Sequence, residues 1–370
     1  MKRIWKQIGI VLCVLIVIAI TVFYVLKYTT YSTVQVLKTY ESGENDDRNY
    51  IQYLDGVLKY SKDGIVMLTK NGEELWNQPC QMNRPMVEVN NGTAVVADKE
   101  GRSILVFQKN GLKGEIQTTR PIEKIAVSTQ GIVAAVLQDG KTPWVMCYDS
   151  KGAVLVEHKA SFGNTGYPID ISLSNDGNVL LVSYLNIDGS DIVTKAVYYH
   201  FGKAGEEKTN HQVAHAEYKD MIIPSVKFLD KNTSLLVSDH AFILYEGLDE
   251  PKQTKIVELD KEIKSVAYDE DYIVFVLKNS GQTNYELRLY RTNGEQVMTT
   301  EFEGEYSNIK IAGKEIVLYS GDTCAIFNEK GVCKFQGTLE NNIMELFPIA
   351  GLNKYMLISA NGFSEIQLAK

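Results

Sequence analysis

Two patterns of apolar and polar positions divide the chain. Residues 8–26 read IGIVLCVLIVIAITVFYVL, nineteen positions without a charge. As a helix they extend about 28 Å, close to the ~30 Å hydrocarbon thickness of a bilayer. From Tyr50 onward the text becomes short runs of β-branched and aromatic residues separated by glycine-containing turns, with no helical periodicity. The first pattern predicts a membrane-spanning helix and the second an all-β domain.

The turns recur in one phase: Lys70-Asn71-Gly72, Lys109-Asn110-Gly111, Ser150-Lys151-Gly152, Lys203-Ala204-Gly205, Thr292-Asn293-Gly294 and Glu329-Lys330-Gly331. Each closes an apolar run, and most steps are about 40 residues, the length of a four-stranded propeller blade. Cutting the chain this way gives units near 50–80, 85–119, 122–159, 168–213, 221–259, 263–302 and 306–336, while residues 343–368 supply only three strands of another. A ring leaves no open edge only if that unit is completed, and residues 33–39 (TVQVLKT) are a spare strand at the other end. The expected fold is therefore an all-β, eight-bladed β-propeller, with seven blades as the alternative, preceded by one N-terminal transmembrane helix. The polar run 41–49 would connect the closing strand to the first blade.

Charge orients this arrangement. Lys2, Arg3 and Lys6 precede the apolar run with no acid among them, whereas Glu41, Glu44, Asp46 and Asp47 follow it. The positive-inside rule then keeps residues 1–7 cytoplasmic and makes 8–26 a transmembrane signal anchor. Residues 27–49 become a short spacer with the closing strand, and 50–370 an extracellular propeller. A cleaved signal peptide is the rival, but its apolar region should be shorter and followed by small residues, where this chain has Lys27, Tyr28, Thr29, Thr30 and Tyr31. Because the fourth strand of a blade runs from bottom to top, the closing strand would enter from the bottom face. Residues 27–32, about 20 Å when extended, would hold that face near the bilayer.

From residue 28 onward lie 34 of the 38 basic residues and all 46 acidic ones, a net charge of −12. That sign argues against nucleic acid and other polyanions as partners. Cys13 falls in the span, leaving Cys80, Cys147, Cys324 and Cys333 outside, too sparse for a disulfide scaffold. Cys324 and Cys333 sit on the two arms of one hairpin around Asn328 to Gly331, where a bridge is an alternative that a small register difference would prevent by setting them diagonal rather than opposite; small buried apolar side chains are the expectation for all four.

Asp170-Ile171-Ser172-Leu173-Ser174-Asn175-Asp176-Gly177 resembles the S-x-D-G hairpin of WD40-like and surface-layer propellers, and Asn71-Gly72-Glu73-Glu74-Leu75-Trp76 resembles the end of a quinoprotein-type repeat. The tryptophan occurs in the first unit alone, and no Asp, Asn and Glu set suits a quinone and its metal, so no cofactor is expected. Taken whole, the short basic end, the single span, GYPIDISLSNDG at residues 166–177, Ser183-Tyr184 and Asp239 are similar to a family of membrane-anchored propeller proteins from clostridia-like Gram-positive bacteria. The resemblance implies the same topology and fold and carries no assigned activity.

HExxH, GxSxG, GxxxxGK and CxxC are all absent from the sequence, which lowers the expectation of an enzyme. His211 and His215 would share a helical face, yet their surroundings predict a strand and loop, so a metal site is not expected. Residues 186–191 offer several hard oxygens without the spacing of a calcium loop. Loop length is more informative. The fourth unit lengthens its top connections at 160–167 and 186–191, and 214–220 leads into the fifth. Phe162, Tyr167, Asp188, Asp191, His215, Tyr218, Asp239 and His240 then gather on one top-face sector suited to binding. Asp170 is expected near the central channel as a structural acceptor and is included among the candidate ligand residues. The resulting expectation is a binding or scaffolding module of the cell envelope with an envelope protein or glycan as partner. The alternatives are an envelope hydrolase acting on peptide or glycan, or a sensor working through a membrane partner.

Overall fold

The computed structural model describes residues 12, 14–17, 28–41, 49–140, 142–160, 165–189, 191–278, 281 and 283–370. Their strands form eight four-stranded antiparallel sheets, seven of them laid out in chain order from the ring's centre outward. Blade 1 consists of Asn49–Tyr53, Gly56–Tyr60, Gly64–Thr69 and Glu74–Pro79. Blades 2 to 7 occupy 85–117, 122–159, 167–219, 225–258, 262–302 and 308–338. The eighth has Glu345–Pro348, Lys354–Ser359 and Gly362–Ala369 from the C-terminal end, and its outermost strand is β1 (Thr33–Glu41). Thr33 lies opposite Ala369 and Glu41 opposite Gly362, with a bulge between Val36 and Lys38. An eight-bladed propeller is thus the fold, and its ring is closed by pairing the two ends of the domain.

The core is divided into junctions. Eight apolar clusters are found among the described residues, one between each pair of neighbouring blades. Second and third strands are covered on both faces, so Thr93–Asp98 and Thr233–Val237 are buried along their whole length. Outer strands such as Glu74–Pro79 alternate between exposed and half-buried. A sheet buried on both faces needs a continuous apolar run, whereas a half-solvated edge needs alternation.

The recurrent glycine turns connect third to fourth strands on the bottom face. Gly72, Gly152, Gly294 and Gly331 all have φ between 79° and 89°, and each donates its N–H to the carbonyl three residues earlier. Asn328 Oδ1 accepts from the N–H groups of Lys330 and Val332, and Asp149 Oδ1 from those of Lys151 and Ala153. A left-handed glycine after such a turn produces the bulge that follows it in each pair of strands. Gly205 differs: it lies in a one-turn helix, Lys203–Glu206, inserted before the outer strand of blade 4. That insertion moves the outer strand to Gln212–Lys219, so blade 4 ends at 219 rather than 213.

Both resemblance motifs hold neighbouring segments in place. Ser174 Oγ donates to Asp176 Oδ1 at 2.6 Å and accepts from the N–H of Val179, fixing the first hairpin of blade 4. Trp76 stacks on Phe107 at 5.0 Å and donates from Nε1 to the carbonyl of Lys109, tying blade 1 to the turn of blade 2.

Cys324 faces Gly337 and Cys333 faces Phe327, so the two thiols point into different junctions and are free, as are Cys80 and Cys147. Burial pushes the thiols of Cys147 and Cys324 up to about 12. At pH 8 such a group is thiolate in only about one molecule in 10⁴. Iodoacetamide at that pH should leave both unmodified in the native protein and label them in urea, as read by mass spectrometry of tryptic peptides.

Of the expected span, only residues 12 and 14–17 fall within the described residues, where they are helical. Among the described residues no helix is long and apolar enough to cross a membrane. The connection expected at 41–49 likewise lies largely outside the described residues, which resume at Asn49.

Candidate functional site

The top face carries the connections between second and third strands and those leading into the next blade. Blade 4 dominates it. Its second and third strands, Val179–Asp188 and Asp191–His200, have ten residues each, against five to eight for the corresponding strands of other blades. The surplus at the top end makes a hairpin whose tip carries Asp188, Gly189 and Asp191. Ile187 is 65 % exposed beside that tip, as expected of a β-ribbon standing beyond its neighbours.

The hairpin has a braced base. Ser183 Oγ donates to the carbonyl of Ile223 at 2.7 Å, and Thr194 Oγ1 to that of Met221 at 2.7 Å. The linker 220–224 so held presents the Ile222 carbonyl to the N–H of Asp239. Ser183 and Asp239 therefore belong to one top-face scaffold spanning blades 4 and 5, whereas Tyr184 turns into the junction of blades 3 and 4. Asp239 and His240 form the next top turn, both about half exposed, with Asp239 Oδ1 3.0 Å from His240 Nδ1.

The other candidate residues separate. Tyr167 begins the inner strand of blade 4 and its hydroxyl donates to Gln138 Oε1 of blade 3. His215 lies mid-way along the outer strand, exposed, and accepts from Gln212 at 2.9 Å. Tyr218 packs against blade 5, with its hydroxyl 2.7 Å from that of Tyr245 and bonded to Gln253. Burial raises the pKa of the Tyr218 phenol and keeps it neutral. Residues 214–220 are mostly strand rather than loop, because the inserted turn at 203–206 displaces that strand along the sequence. His211 closes a 3-10 turn and packs on Phe201, so it shares no helical face with His215. No metal-binding cluster of His, Cys, Asp or Glu occurs among the described residues. Phe162 lies outside the described residues.

Asp170 belongs to a second region, the central channel. Its Oδ2 accepts from the N–H of Val226 at 2.8 Å, while Ser172 Oγ accepts from Phe228, hanging the inner strand of blade 5 on that of blade 4. Its Oδ1 meets Lys124 Nζ at 3.3 Å. Burial lifts the Asp170 carboxyl above the usual carboxylate range, and Lys124 and the Val226 N–H offset only part of that. Glu88, Lys227 and Tyr268 complete the group. Burial acts to lower the Lys227 pKa, but Glu88, Tyr268 and Asp170 outweigh it and the net direction is up.

Residues 27–368 match the family of unknown function DUF5711. The chain belongs to DUF5711. No curated protein matches it. Among solved structures it is similar to BamB from Moraxella catarrhalis, at 13 % identity and a TM-score of 0.55, over 90 % of this chain and 99 % of that one. It is also similar to a eukaryotic initiation factor, at 12 % identity and a TM-score of 0.51, over 82 % and 91 % of the two chains. Hsv2 of Kluyveromyces lactis gives 8 % identity and a TM-score of 0.51, over 80 % and 100 %. At such identities the likeness is one of fold, and this DUF5711 member shares a propeller with proteins of different names.

Glu88, Lys124, Lys227 and Tyr268 were not singled out by sequence reasoning. Glu88 and Lys227 share with Asp170 the signal of a charged residue between apolar neighbours in the first strand of blades 2, 5 and 4: Val87-Glu88-Val89, Val226-Lys227-Phe228 and Ile169-Asp170-Ile171; Lys124, preceded by Glu123, and the uncharged Tyr268 lack it. Alternation in an innermost strand sends the odd residue into the channel.

Proposed function

We propose that the protein is a membrane-tethered, extracellular propeller that binds or scaffolds an envelope protein or glycan through the top rim of blades 4 and 5. The observation that carries this reading is the overhanging blade 4 hairpin, placed on the face opposite the one by which β1 enters. Thr33 pairs with Ala369 at the bottom end of the last blade. An apolar segment at 8–26 then holds the bottom face toward the bilayer and directs the hairpin tip away from it. Exposed polar groups on a braced loop scaffold, here Asp191, Asp239 and His240, with Asp188 at the hairpin tip, suit recognition of a macromolecular surface.

Proximity labelling from the C-terminal end of the full-length chain in intact cells tests this. The reading expects envelope proteins among the labelled neighbours, and at least one of them reduced tenfold when Asp188, Asp191, Asp239 and His240 are together replaced by Ala in a variant that still melts cooperatively. Labelling confined to cytoplasmic proteins would refute the topology, and an unchanged neighbour set would refute the rim.

A further inference from the structure

The central channel is barred part-way down. Glu88 Oε2 of blade 2 lies 3.2 Å from Lys227 Nζ of blade 5, a contact that passes the inner strands of blades 3 and 4. Tyr268 of blade 6 stands beside Lys227. Lys227 and Tyr268 line both the cavity above this bar, about 280 Å³, and the cavity below it, about 370 Å³. The lower cavity is walled by Asn90, Asn91, Asn175, Asp269 and Glu270. The upper one is a cup with a different chemistry.

Two ammonium groups and two carboxylates face the upper cup: Lys124, Lys227, Glu88 and Asp170. Each lysine brings three N–H donors. Lys124 gives one bond, to Asp170, and its side chain is 46 % exposed. Lys227 gives one bond, to Glu88, whose side chain is 40 % exposed. Asp170, only 18 % exposed, has both oxygens engaged. Donors therefore remain on the lysines and acceptor capacity on Glu88. The four charges sum to zero, so a lone anion meets Asp170 and Glu88, and a lone cation meets the lysines. A molecule bearing both signs a few ångströms apart finds a counter-charge at each end. Met86, Ile125 and Pro224 supply apolar wall for a short side chain. The volume, about 280 Å³, lies just below the range of drug-sized pockets, which begins near ~300 Å³, and suits a smaller ligand.

We propose that the upper cup is a binding site for a small zwitterion of amino-acid or dipeptide size, its carboxylate on Lys124 and Lys227 and its ammonium on Glu88. The site is independent of the top rim, because none of its groups is among the rim residues.

Isothermal titration of the full-length chain with the twenty amino acids and diglycine tests the assignment. At least one of these zwitterions binds with a dissociation constant below about 1 mM. The N-acetyl and the C-amide forms of that same compound each bind at least tenfold more weakly. Lys124→Met, a change at the cup's mouth, weakens binding at least tenfold in a protein that still melts cooperatively, and Glu88→Gln weakens it in the same direction. Binding of none of the twenty-one compounds overturns the proposal. So does equal binding of a blocked form, or a Lys124→Met protein that binds like the wild type. If Glu88→Gln lowers the melting temperature, Lys124→Met and the blocked ligands decide.

Discussion

A chain that begins at residue 42 should lose its cooperative melting transition, or melt more than about 10 °C lower, whereas one that begins at residue 28 should melt as the complete ring does. The difference between them is β1. Its ladder to Gly362–Ala369 runs over eight residue pairs, and three side chains within or just before it fix it in place. Tyr31 accepts from Asn353 Nδ2 and donates its backbone N–H to Lys334, Val34 packs on the junction of blades 7 and 8, and Tyr40 donates to Asn71 of blade 1. Without β1 the last blade has three strands, its third becomes an open edge, and the blade 7 to blade 8 and blade 8 to blade 1 junctions lose cover. For a domain this large each kcal/mol shifts the midpoint by roughly 2–4 °C, so a loss of several kcal/mol gives the stated shift. Differential scanning calorimetry of the two truncations measures it, and size-exclusion chromatography reports the self-association that an unpaired edge invites. Equal melting curves would show that the ring does not depend on its closing strand.

The second large effect is expected at Glu345. Its side chain is buried, and Oε1 accepts from Lys310 Nζ at 2.6 Å, from the Tyr319 hydroxyl at 3.2 Å and from the N–H of Leu346 at 3.0 Å. Removing one partner of a buried ion pair leaves the other charge uncompensated, a loss of about 3–5 kcal/mol. Glu345→Ala should therefore cost about that much in urea unfolding, while Glu345→Gln, which keeps an oxygen for Tyr319 and Leu346, should cost less. Lys310→Met combined with Glu345→Leu should recover part of the loss, since an apolar pair of similar volume strands no charge. A double variant no better than Glu345→Ala would mean that the carboxylate acts through the Tyr319 and Leu346 bonds instead.

The candidate site was legible in part. Asp239 and His240 and the elongated hairpin could be placed from sequence because loop length is a local property. His215 and Tyr218 were expected on the same rim, but a single inserted helical turn shifted the outer strand, and an outer strand alternates its side chains between solvent and the next blade. Asp170 stood out by its motif, yet its partners Val226 and Lys124 lie 56 and 46 residues away. The pairing of Glu88 with Lys227, 139 residues apart, had no local signature at all.

The sequence by itself determined the all-β class, the blade period, the glycine-bearing turns and the spare strand, because each depends on the conformational preferences of a few consecutive residues and on the alternation of side chains along a strand. It also determined the apolar stretch at 8–26 and the acidic balance of the residues beyond it. Only the tertiary structure decided which charges meet in the channel, where the bar divides it and which tyrosines are turned into junctions. Those outcomes come from closing a ring of eight sheets, which brings inner strands together across the channel regardless of their distance along the chain.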